Sequence, residues 1–147
     1  MRMHYRPWVA LGFATMLVAA CAKKDTAVQD TLRASTGEVA AVKVANIDIG
    51  RSLGTDKSIA DKTDTFAKTD TIYASVATEG SGNATLKARW TFEDGQVVDE
   101  STQATSPTGP ARTEFHISKP NGWPTGKYKV EISVNDTPAG TKEFTIK

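Results

Sequence analysis

The chain has 147 residues, 18 Lys+Arg against 17 Asp+Glu, a formal charge of +1 and one cysteine. So balanced a chain has no basic field to hold nucleic acid by counterion release, and no acidic tail to recruit a basic partner. A single cysteine excludes an internal disulfide and a cysteine-based zinc site, so stability has to come from packing.

The first segment, Met1 to Arg6, is short and charged, and an apolar run from Trp8 to Val18 follows it. The run falls short of the roughly 20 residues a spanning helix needs, and Lys23 and Lys24 come soon after. That is the pattern of an export signal. Val18-Ala19-Ala20-Cys21 resembles the lipobox of bacterial lipoproteins. The resemblance implies a signal peptide over 1–20, a cut between Ala20 and Cys21, and a covalent diacylglycerol and acyl chain on Cys21; no other cofactor is expected. In Gram-negative lipoproteins of this kind an aspartate just after the cysteine retains the protein at the inner membrane. Ala22 stands there, so the resemblance implies the periplasmic face of the outer membrane. An ordinary secretory cut that leaves a free thiol, or a short uncleaved anchor, are the alternatives. A lone thiol in an oxidising compartment is an odd leftover, and lipidation removes that oddity. Loss of Arg2 and Arg6 with the leader leaves 16 Lys+Arg against 17 Asp+Glu.

Residues 21–38 are polar and small with scattered aliphatics, too few to offset the entropy of ordering the chain. They predict a flexible tether, with 39–147 as one domain. Val42 and Val44 share one phase and Ile47 and Ile49 the other, a slip near Ala45-Asn46 that reads as a β-bulge or as two short strands. Gly50 to Asp70 loses alternation and predicts a long loop pinned to the core by Ile59 and Phe66. Thr71 to Thr78 alternates, with Ile72, Ala74 and Val76 on one face and Thr71, Tyr73 and Ser75 on the other. Ala84 to Phe92 alternates without a fault, placing Leu86, Ala88 and Trp90 inward and Lys87 and Arg89 outward. Period-2 patterning with charge on one side predicts an antiparallel strand with one wet face.

Asp94-Gly95 signals a tight turn into a shorter strand over Gln96 to Thr102. Thr105 to Ala111 is a loop, and Thr113 to Lys119 a strand with Phe115 and Ile117 inward. Pro120 to Gly126 is a turn-rich connection. Tyr128, Val130, Ile132 and Val134 alternate, Asn135 to Gly140 turns, and Phe144 and Ile146 close the chain. About seven short strands and no convincing long helix predict an all-β antiparallel sandwich. Gly126 to Val134, the turn, and Lys142 to Ile146 resemble the last hairpin of immunoglobulin-like and fibronectin-like domains of bacterial surface proteins. The resemblance places Trp90 as a core tryptophan on a central strand and Tyr128 as a corner tyrosine. The cysteine pair of antibody domains is absent, which leaves the exact topology open.

Few residues have the chemistry for a site. After the leader the one histidine is His116, on an outward strand phase, where a solvated role is the plain reading because catalysis needs nucleophile, base and orienter to converge. Asp56, Asp61, Asp64 and Asp70 do not match the calcium-loop spacing, and no metal is expected. Gly80-Ser-Gly82 precedes a strand, without the helix N-terminus that cradles phosphate. Trp123, in a loop held by Pro120, Gly122 and Pro124, is the candidate binding residue, although capping the end of the core is the stronger expectation. These features predict a non-catalytic module, held to the membrane by its lipid, that engages another envelope protein or a ligand through the Gly50–Asp70 loop or its outward faces. An enzyme with an unrecognised active site, or a structural or protease-inhibitor-like lipoprotein, are the competing readings.

Overall fold

A computed structural model of the protein describes residues 41–147. The predicted signal peptide (1–20) and tether (21–38), and with them Ala20 and Cys21, lie outside the described residues. Within them the chain forms eight strands and no helix: β1 (Lys43–Gly50), β2 (Thr65–Phe66), β3 (Ile72–Glu79), β4 (Ala84–Phe92), β5 (Gln96–Thr105), β6 (Ala111–Ile117), β7 (Gly126–Val134) and β8 (Thr137–Ile146).

Two sheets result, one in the order β1-β3-β6 and one in the order β2-β8-β7-β4-β5. Every pairing is antiparallel except the short parallel contact of β2 with β8. In immunoglobulin lettering the first sheet is A-B-E, and the second carries C′, C, F and G, with β2 added beside G. The order is that of an immunoglobulin-like sandwich, which in its constant-type form has a further strand D beside E. Here no strand of the described residues pairs with the outer edge of β6.

The inward rows meet in one core. Ile47, Ile49, Ile72, Ala74, Val76, Phe115 and Ile117 of the smaller sheet pack against Leu86, Ala88, Trp90, Tyr128, Val130, Ile132, Phe144 and Ile146 of the larger one. Trp90 is fully buried at the centre. Phe144 sits among the aromatic rings, edge-on to Trp90 at 5.9 Å and to Phe66 at 5.5 Å and stacked on Tyr128 at 5.4 Å. Each fully buried side chain of this size contributes about 1.5–3 kcal/mol. The Tyr128 hydroxyl donates to the carbonyl of Pro124, four residues upstream, at 2.8 Å, which is the corner-tyrosine arrangement. The slip in β1 is a bulge, with the register against β3 shifting between Val44 and Asn46.

The Gly50–Asp70 segment is not a plain loop. Residues 50–62 fold into a hairpin, with backbone bonds from Arg51 N–H to Asp61 O (2.9 Å), Ala60 N–H to Ser52 O (2.9 Å) and Gly54 N–H to Ser58 O (2.7 Å). The hairpin lies over the outer face of the smaller sheet, where Lys62 pairs with Asp48 at 3.0 Å. At its tip Asp56 shares a shallow recess with Ala77 and Arg112. Ile59 is buried but stands outside the central core, whereas Phe66 belongs to it. Ser75, which strand phase places on the wet face, is completely buried, and its hydroxyl accepts from the Arg112 guanidinium at 3.5 Å.

Strand limits also differ from the sequence reading, with β6 running over Ala111–Ile117 rather than Thr113–Lys119. Phe66 lies on β2, giving eight strands rather than about seven. β5 runs to Thr105 rather than Thr102. The predicted turn over Asn135 to Gly140 contracts to Asn135-Asp136, both at positive φ (49° and 64°), the two-residue turn whose twist suits a hairpin. Residues to Gly140 are already in β8, where a bulge opposite Ile132 and Ser133 absorbs the extra residue.

Candidate binding groove

β5 and β6 are the edges of different sheets, and the chain leaves a groove of 540 Å³ between them. β5 contributes Gln96, Val97, Val98 and Asp99, and β6 with the residue pair after it contributes His116, Ile117, Ser118 and Lys119; Trp123 completes the lining. Its volume lies in the range of small-molecule sites.

The β5 wall follows from its turn and bulge. Gly95 N–H donates to Phe92 O at 3.1 Å and Gly95 takes φ 108°, a conformation glycine adopts without strain. The register against β4 then shifts between Trp90 and Thr91, leaving Val98 as the extra residue. Val98 packs on the core, and Val97 is left 44% exposed, the one large hydrophobic exposed among the described residues. Beyond the bulge, Asp99, Ser101 and Gln103 stand opposite Trp90, Ala88 and Leu86 in the inward phase. No strand of the described residues lies across from them.

Trp123 is placed by backbone as well as by packing. Its amide donates to Lys68 O at 2.8 Å, its indole N–H to Asp70 O at 3.2 Å, and its ring meets Tyr128 edge-on at 6.1 Å. Only 5% exposed, it caps the core and lines one end of the groove with little of its own surface. The Lys119 ammonium sits 5.8 Å from the centroid of its ring. Asp70 is the hub below. Its carboxylate accepts from Ala67 N–H at 2.8 Å and from Arg51 Nε at 2.9 Å. The Ala67 amide, with the Arg51 guanidinium, outweighs the opposing effect of burial and holds this carboxyl below the usual carboxylate range.

His116 is exposed on the rim, its Nδ1 3.3 Å from Glu114 Oε2 and its ring 5.5 Å from that of Tyr73. No hydroxyl of the described residues bonds to it. No cluster of three or more metal-ligating side chains occurs among the described residues, and Asp56, Asp61, Asp64 and Asp70 do not converge. Asp56 instead accepts from the hydroxyl and amide of Ser58, at 2.6 and 3.1 Å, which lowers its own pKa. A second recess, of 410 Å³, lies on the outer face of the larger sheet among Asp64, Glu93, Lys127, Lys129 and Glu143. Its alternating charges are those of a solvated sheet face.

Sequence reading missed the groove because its walls come from edges of different sheets. The signal was present in β5, where Asp99, Ser101 and Gln103 alternate with Glu100 and Thr102 and leave neither face apolar.

No protein family and no curated protein matches the sequence. Solved structures resemble the chain in fold at low identity. An immunoglobulin-like protein from Pseudomonas aeruginosa is 14% identical, with a TM-score of 0.49 over 76% of this chain and 100% of that one. The C-terminal domain of wzt is 12% identical, with a TM-score of 0.49 over 72% and 73%. The alkylpurine DNA glycosylase AlkC of Pseudomonas fluorescens, bound to DNA containing an abasic-site analog, is 16% identical, with a TM-score of 0.47. That match covers 72% of this chain and 30% of the glycosylase. The immunoglobulin-like assignment rests on strand order, core tryptophan and corner tyrosine.

Proposed function

We propose that the protein is a lipid-anchored envelope protein, held by Cys21 at the periplasmic face of the outer membrane, whose sandwich is a non-catalytic binding module. Its contact surface is the β5–β6 groove, and its partner is another envelope protein rather than nucleic acid. The observation that carries this reading is the open side of the sandwich, where no strand of the described residues pairs with the outer edge of β6 and Val97 is exposed beside the groove. The Gly50–Asp70 segment suits a partner less well, because its hairpin, its ion pairs and β2 are already engaged with the domain itself.

A photo-crosslinking residue introduced at Val97 in cells tests the contact, with one at Glu143, on the outer face of the larger sheet, as the control. The reading predicts a discrete protein adduct from position 97 and none from 143. Equal labelling from both, or none from 97, removes the groove as the contact. The anchor is tested separately by mass spectrometry of the mature N-terminus, where an unmodified Cys21, or processing and membrane fractionation unchanged in Cys21→Ser, contradicts it.

A further inference from the structure

Resting on the groove as the contact surface, we infer that its occupant is an extended peptide segment of the partner protein, added to β6 as the missing strand. In an antiparallel strand the N–H and C=O of one residue point to the same side, and alternate residues face alternate neighbours. The Glu114 carbonyl accepts the side-chain amide of Gln103 on β5 at 2.6 Å, so it points to the outer edge. Arg112 and His116, two residues away on either side, share that direction. Their N–H and C=O groups, and the N–H of Glu114, have no hydrogen-bond partner among the described residues. An extended main chain is the ligand that satisfies such a row.

Gln103 is the second observation. Its amide does for Glu114 what the N–H of a neighbouring strand does in a sheet, and it reaches there from the polar inward phase of β5. A segment lying against β6 passes in front of this row and takes over the bond to Glu114.

Charge and shape set the side chains of the occupant. Asp99 on one wall and Lys119 on the other form no ion pair among the described residues. Val97, Val98 and Ile117 supply apolar surface between them. The complement is an extended segment with an apolar side chain flanked by one basic residue, toward Asp99, and one acidic residue, toward Lys119.

The probe is a displayed library of random decapeptides selected on the full chain, followed by resynthesis of the selected peptide with an N-methyl group at each position in turn. Strand addition predicts a basic–apolar–acidic pattern and a loss of roughly tenfold or more in affinity from N-methylation at alternate positions only. It also predicts slowed exchange of the Arg112, Glu114 and His116 amides, and binding at least as tight to Gln103→Ala, in which Glu114 needs no displacement. Peptides that lose binding to Val97→Lys yet tolerate every N-methyl group overturn strand addition and leave the groove as the contact surface. A selection that gives no peptide sensitive to Val97→Lys overturns the peptide proposal, while the crosslink from position 97 judges the groove itself. Amides of Arg112, Glu114 and His116 already protected in the free chain identify an internal occupant and likewise overturn it.

Discussion

The indole N–H of Trp123 donates to the backbone carbonyl of Asp70 at 3.2 Å, and the carboxylate of that same aspartate holds Arg51 at 2.9 Å. One residue thus joins the end of the core to the base of the hairpin that covers the smaller sheet. Trp123→Ala is expected to cost about 3–5 kcal/mol, as for other large buried aromatics. Trp123→Phe, which keeps a ring but removes the donor, is expected to cost less, including about 1–3 kcal/mol for the unpaired Asp70 carbonyl. Urea unfolding of both variants measures this. A Trp123→Ala chain within about 0.5 kcal/mol of wild type, the range of ordinary surface changes, contradicts the buried placement.

Neighbours on β4 have opposite fates. Trp90 is fully buried against Phe144, and Arg89 faces solvent, 3.9 Å from Glu100 in an exposed ion pair. Trp90→Ala is expected to remove about 3–5 kcal/mol and Arg89→Ala at most about 1 kcal/mol. Melting temperatures compare them directly, and equal values reject the assigned faces. The buried Trp90 indole N–H has no partner, so Trp90→Phe, which removes that donor and keeps a ring, is expected to cost less than Trp90→Ala.

Acid weakens the hairpin and its base. Burial alone raises the pKa of Asp48, but hydrogen bonds from Lys62 and Asn46 outweigh it and lower the pKa, while Ala67 and Arg51 lower that of Asp70. Folded carboxylates depressed below the ordinary value of about 3.9 contribute stability that is fully present above that value and lost as pH falls through the folded pKa. Unfolding free energy is expected to drop as pH falls below about 4, with a shallower drop in Asp70→Asn. An identical acid limb in that variant contradicts the linkage.

Gly50 lies under the hairpin, and a methyl group there would overlap the Asp61 carbonyl and the Ile59 side chain. Gly50→Ala is expected to cost about 1–3 kcal/mol, the usual range for overpacking. Urea unfolding measures this, and a variant as stable as wild type contradicts the close approach of the hairpin to Gly50.

The β4 and β7 faces were legible because their inward residues contact the opposite sheet in simple alternation, and Trp90, Tyr128, Val130 and Ile132 are all buried as that pattern requires. The burial of Ser75 was not legible, because the guanidinium that reaches its hydroxyl comes from Arg112, 37 residues on along the chain. β2 is two residues long and exists through β8, so Thr65-Phe66 carries no periodicity of its own. The groove joins Val97 to His116 across two sheets, and local pattern records only its indirect mark, the polar inward row of β5.

Amide hydrogen exchange along β6 in the free full chain tests the open edge most directly, because local opening and unpaired backbone are what exchange reports. The structure predicts protected amides at Thr113, Phe115 and Ile117, which face β3, and fast exchange at Arg112, Glu114 and His116, which face the edge where no strand of the described residues pairs. Uniform protection from Arg112 to Ile117 would contradict it.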